Sequence, residues 1–119
     1  MQEIMVVDDS RFIRKYLKGI LNQHGYTTIY EASNGEEAID QYMYVNPDIV
    51  ILDITMPNIS GLTVLKKFLE FDPDATVIMC SSMGTGFNIV ESKKIGAKGF
   101  IVKPYFNEVV DVIKSVVEN

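Results

Sequence analysis

Short apolar runs alternate along this chain with longer stretches whose apolar residues recur every three or four positions. Ile4-Met5-Val6-Val7 and Ile49-Val50-Ile51-Leu52 are unbroken apolar runs, the pattern of strands covered on both faces. Residues 75–80 repeat it around Val77, Ile78 and Met79, and 27–32 and 99–102 are shorter and more mixed versions. Between these runs the period changes. Ile13, Leu17, Ile20 and Leu21 fall on one helical face, as do Ala38, Ile39, Tyr42 and Met43, and then Leu62, Leu65, Phe68 and Leu69. The segment holding Phe87, Val90 and Glu91 is the least apolar of the expected helices, and 106–117 forms the last, with Val109, Val112, Ile113, Val116 and Val117 prominent.

Turn chemistry marks the joints. Ser10 is a helix N-cap, and His24-Gly25 ends the first helix. Ser33-Asn34-Gly35 opens the second helix, Asn46-Pro47 closes it, Gly61 precedes the third and Asp72-Pro73 ends it. The result is five βα units in one domain over residues 1–119, with no linker, repeat or low-complexity segment. Such alternation implies a doubly wound α/β fold: a five-stranded parallel sheet, right-handed crossovers and helices on both faces. Ligands of such sheets bind beyond the carboxyl ends of the strands.

Composition narrows the function. The hydrophobic fraction of 47% suits an ordinary globular core, and a formal net charge of −5 argues against non-specific binding to nucleic acid or to an anionic membrane surface. A protein partner or a cation suits an acidic chain better. Cys80, the one cysteine, lies in an apolar run and reads as a buried, inert thiol. With no basic segment leading into a long apolar one, and no apolar run of membrane-spanning length, the expected location is the cytoplasm.

The chemistry gathers at strand ends. The run at 49–52 stops at Asp53 before the loop Ile54-Thr55-Met56-Pro57, and the run at 4–7 stops at Asp8-Asp9. An isolated carboxylate there would cap a helix or anchor a loop. Two strands delivering three acids to one edge make a site instead. If strand 1 is central, in the order 2-1-3-4-5, then Asp8, Asp9, Asp53, Ser81 and Lys103 share that edge. Carboxylates about 4 Å apart repel by about 4 kcal/mol per pair at an effective dielectric near 20. A cation relieves this, and all-oxygen donors favour magnesium or manganese over zinc. Protonation of one carboxylate would relieve it too, but Lys103 prepares the edge for more negative charge. A carboxylate nucleophile, a metal, a lysine and a hydroxyl together describe phosphoryl transfer to an aspartate. His24, in the last turn of its helix, reads as a solvated residue near the helix's negative end.

Val6-Val7-Asp8-Asp9, Leu52-Asp53-Ile54-Thr55-Met56-Pro57 with Gly61, Cys80-Ser81 and Gly99-Phe100-Ile101-Val102-Lys103-Pro104 together carry a family resemblance over the whole chain. It resembles the receiver domains of two-component response regulators, of the single-domain, chemotaxis-type CheY kind, with their flavodoxin-like (βα)5 fold and 2-1-3-4-5 strand order. The resemblance implies that Asp53 accepts a phosphoryl group from a sensor histidine kinase. It implies that Asp8, Asp9, Asp53 and the Thr55 carbonyl hold Mg2+, with Mn2+ as a substitute, and that Ser81 and Lys103 contact the phosphoryl group. Phe100 would be the aromatic that turns inward on activation, and the Lys103-Pro104 bond would be cis. The protein would act as a monomeric phosphoacceptor that catalyses its own phosphorylation and dephosphorylation, and a flagellar motor switch protein would be its output. Ser60 and Ser82 depart from the family pattern, which often has an acidic residue and a small residue there.

Other readings fit less well. Metal-dependent phosphatases of the haloacid dehalogenase kind separate their acid pair by one residue, whereas Asp8 and Asp9 are adjacent; flavodoxins need a hydroxyl-rich phosphate loop where this chain has Asp8-Asp9-Ser10-Arg11. Gly84-Thr85-Gly86 lacks the surroundings of a phosphate loop and reads as a connector. Tyr105, Phe106 and Val110 lie beside the main stripe of the last helix and form either packing or a partner-binding face. Within the receiver reading, a phosphorelay intermediate and a receiver fragment of a longer DNA-binding regulator are the alternatives to a chemotaxis protein.

Overall fold

A computed structural model describes residues 2–82 and 86–117. Five strands, β1 (Ile4–Val7), β2 (Ile29–Ala32), β3 (Ile49–Asp53), β4 (Val77–Ser81) and β5 (Gly99–Val102), form one parallel sheet in the order β2-β1-β3-β4-β5. Five α-helices join or follow them: α1 (Arg11–Gln23), α2 (Gly35–Val45), α3 (Gly61–Phe71), α4 (Gly86–Ile95) and α5 (Val109–Val117). The Met83, Gly84 and Thr85 part of the expected connector lies outside the described residues, and Gly86 opens α4.

The continuous apolar strands are buried on both faces because two cores sandwich the sheet. On one side Met5, Val7, Val50, Leu52, Val77 and Met79 meet Ala38 and Tyr42 of α2 and Val64, Leu65 and Phe68 of α3. On the other, Ile4, Val6, Ile49, Ile51, Ile78, Cys80 and Ile101 meet Leu17 and Leu21 of α1 and Val109, Val110 and Ile113 of α5. Successive side chains of one strand point to opposite cores, which is why both must be apolar. Tyr42 stacks on Phe68 with ring centroids 4.5 Å apart and donates its hydroxyl to Asp72, so α2 is pinned to the end of α3.

Several local expectations change. Met43 is 63% exposed, because α2 buries only Gly35, Ala38 and Tyr42 along its length. In α3 the buried stripe runs through Val64, Leu65 and Phe68, with Leu62 and Leu69 half-buried at its margins. The β2 pairing begins at Ile29 and β4 runs from Val77 to Ser81, so Ser81 belongs to the sheet itself. The last helix begins as a single 3-10 turn over Phe106–Glu108 before α5. Phe106 and Val110 are buried and take the packing alternative to a partner face, joining Val109 and Ile113 in the core against the sheet. Of the three residues assigned to that face, Tyr105 alone is exposed.

Candidate functional site: an acidic cluster at the carboxyl edge of the sheet

With β1 and β3 adjacent in register, Val7 opposite Leu52, the residues that follow them emerge side by side. Asp8 and Asp53 are buried and Asp9 is exposed, and one oxygen from each lies within 4.8 Å of the others. β4 and β5 complete the edge: Asp53 is level with Cys80, and Ser81 with Val102. Lys103 follows β5, and its backbone N–H donates to the Ser81 carbonyl at 2.9 Å. Its Nζ donates to Asp8 Oδ2 at 2.9 Å and lies 3.4 Å from Asp53 Oδ1. The structure thus brings together Asp8, Asp9, Asp53, Ser81 and Lys103.

Backbone donors hold the carboxylates in place. The Ser10 N–H donates to Asp8 Oδ1 at 2.9 Å, and Ser10 in turn caps α1 through the Ile13 N–H. The Thr55 N–H donates to the Asp53 carboxylate. The Asp53 loop is stitched down by Gly61, whose N–H donates to the Ile54 carbonyl at 2.8 Å. A Cβ on Gly61 would fall on the Asp53 carbonyl oxygen, so only glycine lets α3 start this close to the end of β3.

Electrostatics follow from this crowding. Burial first, and the charge of Asp8 second, push the Asp53 carboxyl up from 3.8 to about 6, against the charge and hydrogen bond of Lys103 and the Thr55 N–H. For Lys103, burial is the largest influence and opposes the charge, but the hydrogen bond to Asp8 and the charges of Asp53 and Asp8 outweigh it, and the ammonium's pKa rises. Burial pushes the Cys80 thiol up to about 12. Three carboxylates face one ammonium here, an excess of negative charge presented by hard oxygen donors. That donor set fits a magnesium-like cation without nitrogen or sulfur ligands.

Around the cluster, Phe100 is half-buried and packs against the core that holds Met79. The Lys103-Pro104 peptide is cis. Ser60 caps α3 through the Leu62 N–H, and Ser82 is exposed. His24 sits exposed at the C-cap of α1, with Nδ1 3.0 Å from the Ile20 carbonyl, far down the helix from its N-terminal acidic edge. Arg14 belongs to no motif, yet its guanidinium is largely buried beside the cluster, with Nη1 donating to the Asp8 carbonyl at 2.7 Å. Its signal in the sequence is its place on the stripe of Leu17 and Leu21, where a cation needs a buried acceptor.

Comparison with known proteins agrees with this architecture. Residues 4–114 match the response regulator receiver domain family. The chain belongs to that family. It is 47% identical over 105 residues to the chemotaxis protein CheY of Listeria monocytogenes, covering 88% of each chain. It is 44% identical over 104 residues to the chemotaxis protein CheY of Thermotoga maritima, covering 87% of each. Among solved structures, a chain of the CheX-CheY-BeF3-Mg2+ complex from Borrelia burgdorferi superposes with a TM-score of 0.91 at 42% identity, covering 97% of this chain and 88% of that one.

Proposed function

We propose that this receiver domain accepts a phosphoryl group on Asp53, in a site completed by a divalent cation, and signals through the surface change that follows. The observation that carries the reading is the juxtaposition of buried Asp53 with Asp8, Asp9 and Lys103 at one sheet edge. Asp8, Asp9, Asp53 and the Thr55 carbonyl would hold Mg2+, or Mn2+ in its place. When bound, the cation supplies charge neutralisation for the oxygens of the incoming phosphoryl group.

The chain's own residues supply the rest. An ionised Asp53 oxygen attacks phosphorus, the bond from phosphorus to the donor's imidazole nitrogen breaks, and an acyl phosphate forms while the imidazole keeps the electron pair and takes a proton. Lys103 exchanges part of its contact with Asp8 and Asp53 for the phosphoryl oxygens, and the Ser81 hydroxyl donates to another. The added charge of about −1.5 to −2 draws the Ser81 and Lys103 loops inward, and Phe100 turns into the space vacated. The donor is a sensor histidine kinase. The output is a chemotaxis partner such as a flagellar motor switch protein, a choice supported by the CheY relatives. Hydrolysis ends the signal: water attacks the same phosphorus, the bond from phosphorus to the Asp53 oxygen breaks, and inorganic phosphate leaves as Asp53 returns to a free carboxylate.

The test is incubation with acetyl phosphate, with magnesium or with chelator, followed by intact mass. Wild type gains one phosphoryl group in magnesium only, and Asp53→Asn gains none. Equal labelling of Asp53→Asn removes Asp53 from the role. Affinity capture with the phosphorylated form then separates a motor switch protein from a histidine phosphotransferase as the output.

A further inference from the structure

The structure assigns to Arg14 the task of orienting the Asp8-Asp9 peptide so that both carboxylates meet a cation; we infer that it is a positioning residue for the metal site. This inference rests on the proposed function above. Arg14 lies one turn into α1 and is 13% exposed. Its Nη1 donates to the Asp8 carbonyl at 2.7 Å while its Nε pairs with Glu31 Oε1 of β2 at 3.1 Å. The Glu31 backbone is fixed, level with Val6 in the sheet and with its carbonyl accepting from the Gln41 side chain at 3.2 Å, and its carboxylate is held between Arg14 and Lys18, whose Nζ lies 3.8 Å from Oε2. The guanidinium therefore ties a rigid point of the sheet to the first peptide beyond the end of β1.

That peptide matters because it joins the two acids. The Asp8 N–H is held by the Ala32 carbonyl at 3.2 Å, and the Asp8 carbonyl is held by Arg14. The peptide is planar, so fixing the Asp8 carbonyl direction also fixes where the chain enters Asp9. Asp9 is exposed, and packing does not restrain its carboxylate. The Arg14 guanidinium bonds the backbone carbonyl of Asp8 and the Glu31 carboxylate, so it acts on the acidic cluster through the backbone of Asp8. Only a planar fork makes both contacts from one buried side chain, with Glu31 compensating its charge.

The expected sign separates positioning from simple charge. Removing a cation beside an acidic site would by Coulomb's law strengthen binding of Mg2+, whereas losing an orienting group weakens it. The experiment is calorimetric titration of metal-free protein with MgCl2, beside thermal melts. Arg14→Met keeps the buried stem and removes every donor, and its affinity should fall about 10-fold or more. Leu21→Val, which loosens the same helix far from the site, should lower the melting temperature and leave the affinity unchanged. Arg14→Met binding Mg2+ as tightly as wild type, or more tightly, overturns the inference, as does an equal loss in Leu21→Val. If Arg14→Met does not fold, Arg14→Gln decides by the same criterion. Wild type that binds no Mg2+ overturns the proposed function together with this inference, whereas binding by wild type and Arg14→Met alike overturns this inference alone.

Discussion

Replacing Asp53 by asparagine should stabilise the metal-free protein, and by an amount that depends on pH. In the folded state the Asp53 carboxyl sits at about 6 instead of 3.8, chiefly because it is buried and then because Asp8 is beside it. A displacement of that size corresponds to about 3 kcal/mol of preference for the protonated form. A carboxyl whose folded value is raised holds its proton more tightly folded than unfolded. Its contribution to stability is therefore full below 3.8 and is lost as the pH rises through about 6. Asparagine keeps the shape and stays neutral. At about pH 7.5 the variant should be more stable than wild type by on the order of 1 to 3 kcal/mol, and at about pH 4 the gain should nearly vanish. In a domain of this size each kcal/mol moves the melting temperature by roughly 4 °C. Magnesium at about 100 times its dissociation constant adds about 2.7 kcal/mol to a protein that binds it only when folded, which should offset most or all of the variant's advantage, since Asp53→Asn lacks one of the proposed ligands. Thermal melts of both proteins across this pH range, with chelator and with magnesium, read all of these effects. A difference between the two proteins that is the same at both pH values, or a magnesium effect of equal size in both, would refute the reasoning.

Other outcomes follow from single contacts. Gly61→Ala should cost at least about 1 to 3 kcal/mol in a denaturant melt, because its Cβ meets the Asp53 backbone, which cannot yield as a side chain would; an unchanged midpoint would mean that α3 does not start where it is placed. The Cys80 thiol, buried and raised to about 12, should resist a disulfide reagent at about pH 8 in the folded protein and react on unfolding, and immediate reaction of native protein would contradict its burial. Ser81→Ala should still take up a phosphoryl group but lose most of the amide-exchange change that phosphorylation produces in α4; an identical response in the two proteins would remove Ser81 from the switch. Tyr42→Phe should cost about 1 kcal/mol through the hydroxyl that meets Asp72, as measured by urea melts.

The parts of this molecule most legible in the sequence are those where one requirement dominates. A strand between two cores must be apolar at every position, so Ile4–Val7 and Ile49–Asp53 announce themselves, and the acids that end them stand out by contrast. Periodicity is a poorer guide where a helix touches the sheet along a narrow line. Met43 falls on the apolar side of α2 by spacing but projects past the end of its contact, and Phe87 and Val90 are exposed on a helix whose one fully buried residue is Ser92. Phe106 and Val110 left packing and a partner face both open for another reason: the 3-10 turn changes the phase of the last helix, and a wheel drawn at one period cannot show that. Arg14 escaped because a basic residue early in a helix usually faces water, and its partners Glu31 and the Asp8 carbonyl come from two other segments.

The pair between Lys103 and Asp8 closes a span of 95 residues. β1 and β3 both precede β5 in the chain and pair directly with each other, so Asp8 and Asp53 can be gathered without the strand that carries their lysine. Until β5 docks, the chain carries concentrated repulsion at the carboxyl edge of its sheet, relieved by protons or by a cation. The lysine contact is therefore a signature of a docked β5: a chain that stops before Gly99 keeps the paired acids, loses the part of the second core that Ile101, Phe106, Val109, Val110 and Ile113 supply, and has none of this compensation.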